Sequence, residues 1–156
     1  MQSFTTDRTC YGQDGWEKGS EIYMNILFFL TPKSQVTYLY DSDTVRQAIE
    51  KMENHRYSAV PLISKKTGEY IGTVTEGDLL WEIKSRYNLN LKEAEGLLMG
   101  GVPRNRDNLP VNAEANMEDL LNKVMNQNFV PVIDGMNRFI GIITRRAVIS
   151  YLLEKK

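Results

Sequence analysis

The seven residues Gly72-Thr73-Val74-Thr75-Glu76-Gly77-Asp78 have a counterpart in Gly141-Ile142-Ile143-Thr144-Arg145-Arg146-Ala147. Each stretch follows an aromatic–Ile pair, Tyr70-Ile71 and Phe139-Ile140, and runs through β-branched residues to a Thr at which a helix would begin. The glycines lie 69 residues apart, and so do the threonines. Upstream, Val60-Pro61-Leu62-Ile63 is echoed by Val130-Pro131-Val132-Ile133 at a spacing of 70. A spacing held over separate landmarks marks an internal repeat. It restricts the chain to two copies of one small unit packed on each other.

With 156 residues in all, each half alone is too short to bury a comfortable core, so the halves are expected to share one. Charge is nearly balanced, with 19 basic and 20 acidic residues, which gives no general reason to expect nucleic acid or an anionic membrane as partner. A single Cys10 rules out an internal disulfide and suits a reducing, cytoplasmic setting. No apolar run is long enough to span a bilayer; the greasiest, Ile26 to Leu30, stops at Thr31-Pro32. Residues 1–23 are polar, glycine-bearing and aperiodic, and are expected to be a loosely ordered leader. Codons for Lys18-Gly19 can resemble a ribosome-binding site, so Met24 is the expected natural start.

The first unit, residues 24–87, opens with a helical turn over Asn25 to Leu30 and a strand over Gln35 to Tyr40. Asp41-Ser42-Asp43-Thr44 offers N-cap chemistry for a helix burying Val45, Ala48, Ile49 and Met52. Ala59 to Ile63 and Tyr70 to Thr75 read as a hairpin, and from Glu76 a second helix carries Leu79, Leu80 and Ile83 on one stripe. Residues 88–101 read as a structured connector: Asn90 and Glu93 resemble a capping box, and Gly100-Gly101 would close the helix. The second unit, residues 102–156, repeats the order. Val102 to Val111 holds its strand, with a polar insertion Asn105-Arg106-Asp107-Asn108 that the first unit lacks. A helix from Asn116 to Asn126 follows, then a hairpin of Phe129 to Ile133 and Arg138 to Thr144, then a helix with Val148, Ile149 and Leu152 inward. Each unit is thus β-α-β-β-α, an α+β arrangement with helices on one face of a small sheet.

Catalysis finds little support. One His and one Cys sit in distant parts of the chain, and neither a Cys/His metal spacing nor a GxSxG or Walker-type loop is present. His55, just past a helix end, reads as a surface residue or as a partner of the helix dipole. Trp81 and the tyrosines read as core or dimer surface. Anion binding is better supported. Thr75 and Thr144 each fall where a strand hands over to a helix, and there the first backbone N–H groups lack helical partners. Asp78, a turn further on, could accept from ribose hydroxyls. Arg145-Arg146 puts two positive charges at a helix start, an unfavourable place that an anion would offset. Two plainer readings stand beside these: Thr75 with Asp78 is also a capping box, and Arg145-Arg146 is also a solvated pair.

The β-α-β-β-α order, the Val-Pro step on the middle strand and the Gly-x-x-Thr-x-x-Asp handover resemble a CBS domain pair, or Bateman module, from about Met24 to the C-terminus. The resemblance implies two repeats packed with pseudo-two-fold symmetry, pairing of chains into a disk-like homodimer, and adenine nucleotides (AMP, ADP, ATP and relatives) bound in the clefts between repeats. Carried over by position, one cleft would use Thr75 and Asp78 for phosphate and ribose, with the adenine against Val102, Pro103, Arg104, Asn128 and Phe129. The other would use Thr144, Arg145 and Arg146, with Gln35, Val36, Thr37, Tyr57, Ser58 and Ala59 around the base. Here Ala147 stands where the ribose-binding Asp belongs. The Thr-Arg-Arg sequence is similar to that of stand-alone CBS proteins of Gram-positive bacteria that bind cyclic di-AMP. The resemblance therefore implies a non-catalytic regulatory module without metal or cofactor, a nucleotide sensor acting on a separate regulated protein. The alternative is a nucleotide-blind dimeric scaffold.

Overall fold

The computed structural model describes residues 24–155; the expectations for residues 1–23 lie outside the described residues. A short 3-10 turn, Ile26–Phe29, leads into strand β1 (Thr31–Pro32) and a second 3-10 turn, Lys33–Gln35. The first repeat continues as β2 (Leu39–Tyr40), α1 (Val45–His55), β3 (Ala59–Ile63), β4 (Tyr70–Thr75) and α2 (Glu76–Tyr87). A connector holds the single-turn helix α3 (Leu91–Ala94) and a 3-10 turn, Met99–Gly101. The second repeat is β5 (Val111–Asn112), α4 (Met117–Val124), β6 (Phe129–Ile133), β7 (Phe139–Thr144) and α5 (Arg145–Glu154).

The duplication extends to the strand register. Leu62 faces Gly72 and Val132 faces Gly141, and both hairpins slip at the next residue, between Leu62 and Ile63 and between Val132 and Ile133. The parallel partner strands agree as well, with Leu39 beside Leu62 and Val111 beside Val132. The two repeats are thus the same β-α-β-β-α unit.

The expectation of one shared core is corrected. There are two cores, stitched by an exchange of lead-in segments. Ile26 and Phe29, ahead of the first repeat, are buried with Leu120, Val130 and Ile143 of the second. Met99 and Val102, ahead of the second, are buried with Leu39, Leu62 and Leu79 of the first. β1 accordingly pairs with β7, completing a four-stranded sheet β1-β7-β6-β5, and the first repeat keeps the three-stranded sheet β2-β3-β4. Both glycines of the duplicated motif lie beneath these crossings. A Cβ on Gly141 would strike the Thr31 carbonyl, and one on Gly72 would strike the Asp107 carboxylate and the Arg104 guanidinium.

Several element expectations need adjusting. The strand expected over Gln35 to Tyr40 is only Leu39–Tyr40, because the chain ahead of it turns as a 3-10 helix. The strand expected within Val102 to Val111 is only Val111–Asn112, because the polar insertion is held by side chains and not by a ladder. Asn90 does cap α3 by accepting from Glu93 N–H, but the helix stops at Ala94, and Gly100-Gly101 belongs to the later 3-10 turn. Leu80, Ile149 and Leu152 are exposed, so the inward stripes of α2 and α5 are narrower than the apolar sequence suggests.

Candidate functional site

The clefts arise from the Val-Pro step. Along β3, Ile63 turns its carbonyl to the β2 side, where it accepts from Asp41 N–H. Backbone direction alternates along a strand, so Ala59 and Pro61 face the same flank. Pro61 has no N–H to leave unsatisfied there. β2 pairs only from Leu62 onward, so the flank beside Ala59, up to the Pro61 nitrogen, is open. Among the described residues, no backbone hydrogen bond joins Thr37 to Ala59 across it.

This gap is the floor of a cavity of about 350 Å³ between the repeats. Gln35, Val36 and Thr37 form one wall, Tyr57, Ser58 and Ala59 another, and Thr144 stands at the end. All seven of these belong to the second cleft expected from the sequence. Asn128 and Phe129, assigned from the sequence to the other cleft, line this one too. Thr31, Val60, Pro61 and Ile142 complete it and were not assigned to a cleft from the sequence; the Val-Pro step was the available signal for Val60 and Pro61, while Thr31 and Ile142 come together through the β1–β7 pairing.

The helix behind Thr144 is primed for an anion at one amide. Arg145 N–H donates to the Asn128 carbonyl (2.9 Å), and Ala147 N–H donates to Thr144 Oγ1 (3.1 Å). Among the described residues, Arg146 N–H between them has no protein acceptor. Such a first-turn donor at a helix N-terminus suits a phosphate oxygen. Arg145 itself is placed differently from expectation. Its Nε donates to the Val124 carbonyl (2.8 Å) and the Gln127 carbonyl (3.2 Å), so it closes the C-terminal end of α4 and does not line the cavity beneath Thr144. Arg146 is exposed on α5.

The other cleft differs in kind. Thr75 caps α2 as Thr144 caps α5, with Asp78 N–H donating to its Oγ1 (3.1 Å). Asp78 is only 6% exposed, and both its oxygens are engaged. Oδ2 accepts from Thr75 N–H (2.9 Å) and Oδ1 from Asn105 N–H (3.0 Å). The capping-box reading of this pair is the one the structure carries, and the insertion supplies a further donor where a ribose was expected. Val102 is 2% exposed in the first repeat's core and reaches no cleft. Pro103 and Arg104 line a separate outer cavity with Thr75, Asp78 and Trp81. The cause is register. Because Leu39 and Val111 are equivalent, the counterparts of Gln35-Val36-Thr37 are Asp107-Asn108-Leu109, not Val102-Pro103-Arg104.

The insertion is clasped to β4 by a dense polar network. Asp107 Oδ1 accepts from Thr73 N–H (2.9 Å) and from Arg104 Nε (2.8 Å). Burial by itself would raise the Asp107 carboxyl, but the Arg104 guanidinium and the Thr73 amide together hold it below the ordinary carboxylate range. Asn108 N–H donates to Thr73 Oγ1 (3.1 Å), Thr73 Oγ1 pairs with Tyr70 Oη (2.7 Å), and Tyr70 Oη donates to the Asn108 carbonyl (2.7 Å). Phe139 and Ile142 occupy the places of Tyr70 and Thr73 in the second repeat, so nothing of this kind can form there.

Among the described residues, no group of His, Cys, Asp and Glu is placed to hold a metal ion, and no helix is long and apolar enough to cross a membrane.

Two inter-repeat clefts on a duplicated β-α-β-β-α unit define a CBS pair, and the CBS domain family model matches residues 29–85 and 102–154. The chain belongs to that family. CbpB, solved in complex with c-di-AMP, superposes with a TM-score of 0.80 at 25% identity, over 92% of this chain and 94% of that one. CbpB from Streptococcus agalactiae gives a TM-score of 0.70 at 26% identity, over 85% and 82% of the two chains. Protein MJ1225 of Methanocaldococcus jannaschii is 21% identical over 136 residues, which are 81% of this chain and 49% of MJ1225. The chain therefore spans about half the length of this curated relative.

Proposed function

We propose that this chain is a regulatory module that binds an adenine nucleotide (AMP, ADP, ATP or cyclic di-AMP) between its CBS repeats and passes the bound state to a separate protein. The observation that carries the reading is the cavity of about 350 Å³ in which, among the described residues, no backbone hydrogen bond joins Thr37 to Ala59, with the Arg146 amide at the start of the helix that Thr144 caps. A purine needs such a slot, and a phosphate needs such a helix end. Similarity to a CbpB that was solved with c-di-AMP supports the ligand class. The ligand regulates by binding one arrangement of the protein more tightly than another. Exposed Leu80 and Trp81 on α2, with Ile149, Leu152 and Leu153 on α5, supply the apolar faces through which two chains would pair as a homodimer.

The test is a melting-temperature panel with AMP, ADP, ATP and cyclic di-AMP, joined to mass spectrometry of ligand released from freshly purified protein. A ligand that binds only the folded state must raise the melting temperature by mass action. No shift with any of the four, and no released nucleotide, would leave the nucleotide-blind scaffold as the better account.

A further inference from the structure

The two clefts share a backbone plan, and at the base of each the difference centres on position 127. In the cleft beneath Thr144, the gap between Thr37 and Ala59 is bridged by no backbone hydrogen bond among the described residues. In the other cleft, the same gap lies between Leu109 and Phe129, and the carboxamide of Gln127 fills it. Gln127 Oε1 accepts from Leu109 N–H (2.8 Å), and its Nε2 donates to the Leu109 carbonyl (3.1 Å) and to the Phe129 carbonyl (3.3 Å). Asn108 Nδ2 adds a bond to the same Phe129 carbonyl (3.0 Å). Gln127 is 8% exposed, so the group is buried as well as satisfied. A carboxamide with one acceptor and a pair of donors offers the same pattern as the amino and ring-nitrogen edge of adenine. What remains of this cleft is a wide polar groove of about 580 Å³ whose lining includes neither Leu109, Val130 nor Pro131.

We propose that Gln127 is a built-in occupant of the purine slot in the cleft beneath Thr75, so that the chain takes one adenine nucleotide, in the cleft beneath Thr144 only. The proposal rests on the adenine-nucleotide reading above and adds which cleft, how many ligands and which residue decides. Displacing the carboxamide would strand the Leu109 N–H and the Leu109 carbonyl unless the base replaced both bonds. The slot beneath Thr144 imposes no such exchange. Position 57, the counterpart of 127, carries a Tyr that lines a wall of the open cleft, and among the described residues its side chain makes no hydrogen bond across the gap.

The experiment is isothermal titration calorimetry of the full chain with AMP, ADP, ATP and cyclic di-AMP in turn, on the wild type, Val36→Trp and Gln127→Gly. The wild type should take no more than one ligand per chain. Val36→Trp, which fills the slot beneath Thr144, should lose measurable binding. Gln127→Gly, checked for folding by its melting transition, should gain a second binding event. Two ligands per wild-type chain, or binding that survives Val36→Trp, overturns the proposal while leaving the nucleotide reading intact. A folded Gln127→Gly protein that still takes one ligand removes Gln127 from the role. No binding of any of the four nucleotides by the wild type removes the nucleotide reading itself and this proposal with it. Should Gln127→Gly fail to fold, the wild-type stoichiometry and the Val36→Trp titration decide the matter.

Discussion

Gly72 sits under a charged clasp, and its lack of a side chain is what lets the clasp close. A methyl there would meet the Asp107 carboxylate and the Arg104 guanidinium together. Gly72→Ala is expected to cost about 1–3 kcal/mol, as overpacking of a fitted site does, read as a lower melting temperature. Asp107→Asn keeps the shape but removes the charge. In the folded protein the Asp107 carboxyl is held below the ordinary carboxylate value. Its contribution is therefore complete above the unfolded value of roughly 3.9 and is lost as pH falls through the lower folded value. The melting-temperature difference between wild type and Asp107→Asn should be steady near neutrality and shrink as pH drops below about 4. A difference that grows on acidification would contradict the clasp. At this scale the sequence was informative about residue type and less so about partner. Thr75, Thr144 and Asp78 stood out because helix starts need such side chains. That Asp78 would find Asn105, or Gln127 find Leu109, depends on contacts 27 and 18 residues apart, which no local pattern encodes.

The helices and hairpins were legible because each obeys its own period. Val45, Ala48 and Met52 recur at helical spacing, and all are buried. The hairpin strands end where the duplicated threonines begin the helices. The short strands β2 and β5 were read too long, since β-branched and aromatic residues mark an extended chain whether or not a neighbour is available to pair with it. The caps allow a test at this scale. Thr75→Ala and Thr144→Ala remove equivalent N-cap bonds, to Asp78 N–H and Ala147 N–H, and each should lower stability by about 0.5–2 kcal/mol. Their effects on ligand should diverge. Thr144 lines the open slot and Thr75 does not, so Thr144→Ala should weaken nucleotide affinity by calorimetry. Thr75→Ala should leave it near the wild-type value.

At the scale of the molecule, the exchange of lead-ins decides whether the repeats can unfold separately. Neither can release its own lead-in without opening the other's core, because Ile26 and Phe29 serve the second repeat while Met99 and Val102 serve the first. The sequence could not have shown this. Apolar residues ahead of a repeat look the same whether they fold back on their own unit or cross to its twin; the cores they join, and the pairing of Thr31 with Ile142 and of Pro32 with Gly141, distinguish them. A consequence follows for Ile26, which is fully buried although it precedes the whole first repeat. Ile26→Ala should destabilise the protein by about 2–5 kcal/mol, the usual range for emptying a packed site. It should do so without splitting the transition. Differential scanning calorimetry should give one endotherm, shifted down, with calorimetric and van't Hoff enthalpies in agreement. Two independent cores would behave otherwise. The endotherm would then divide, the second repeat melting early and the first at its former temperature, and the exchanged lead-ins would not couple the halves.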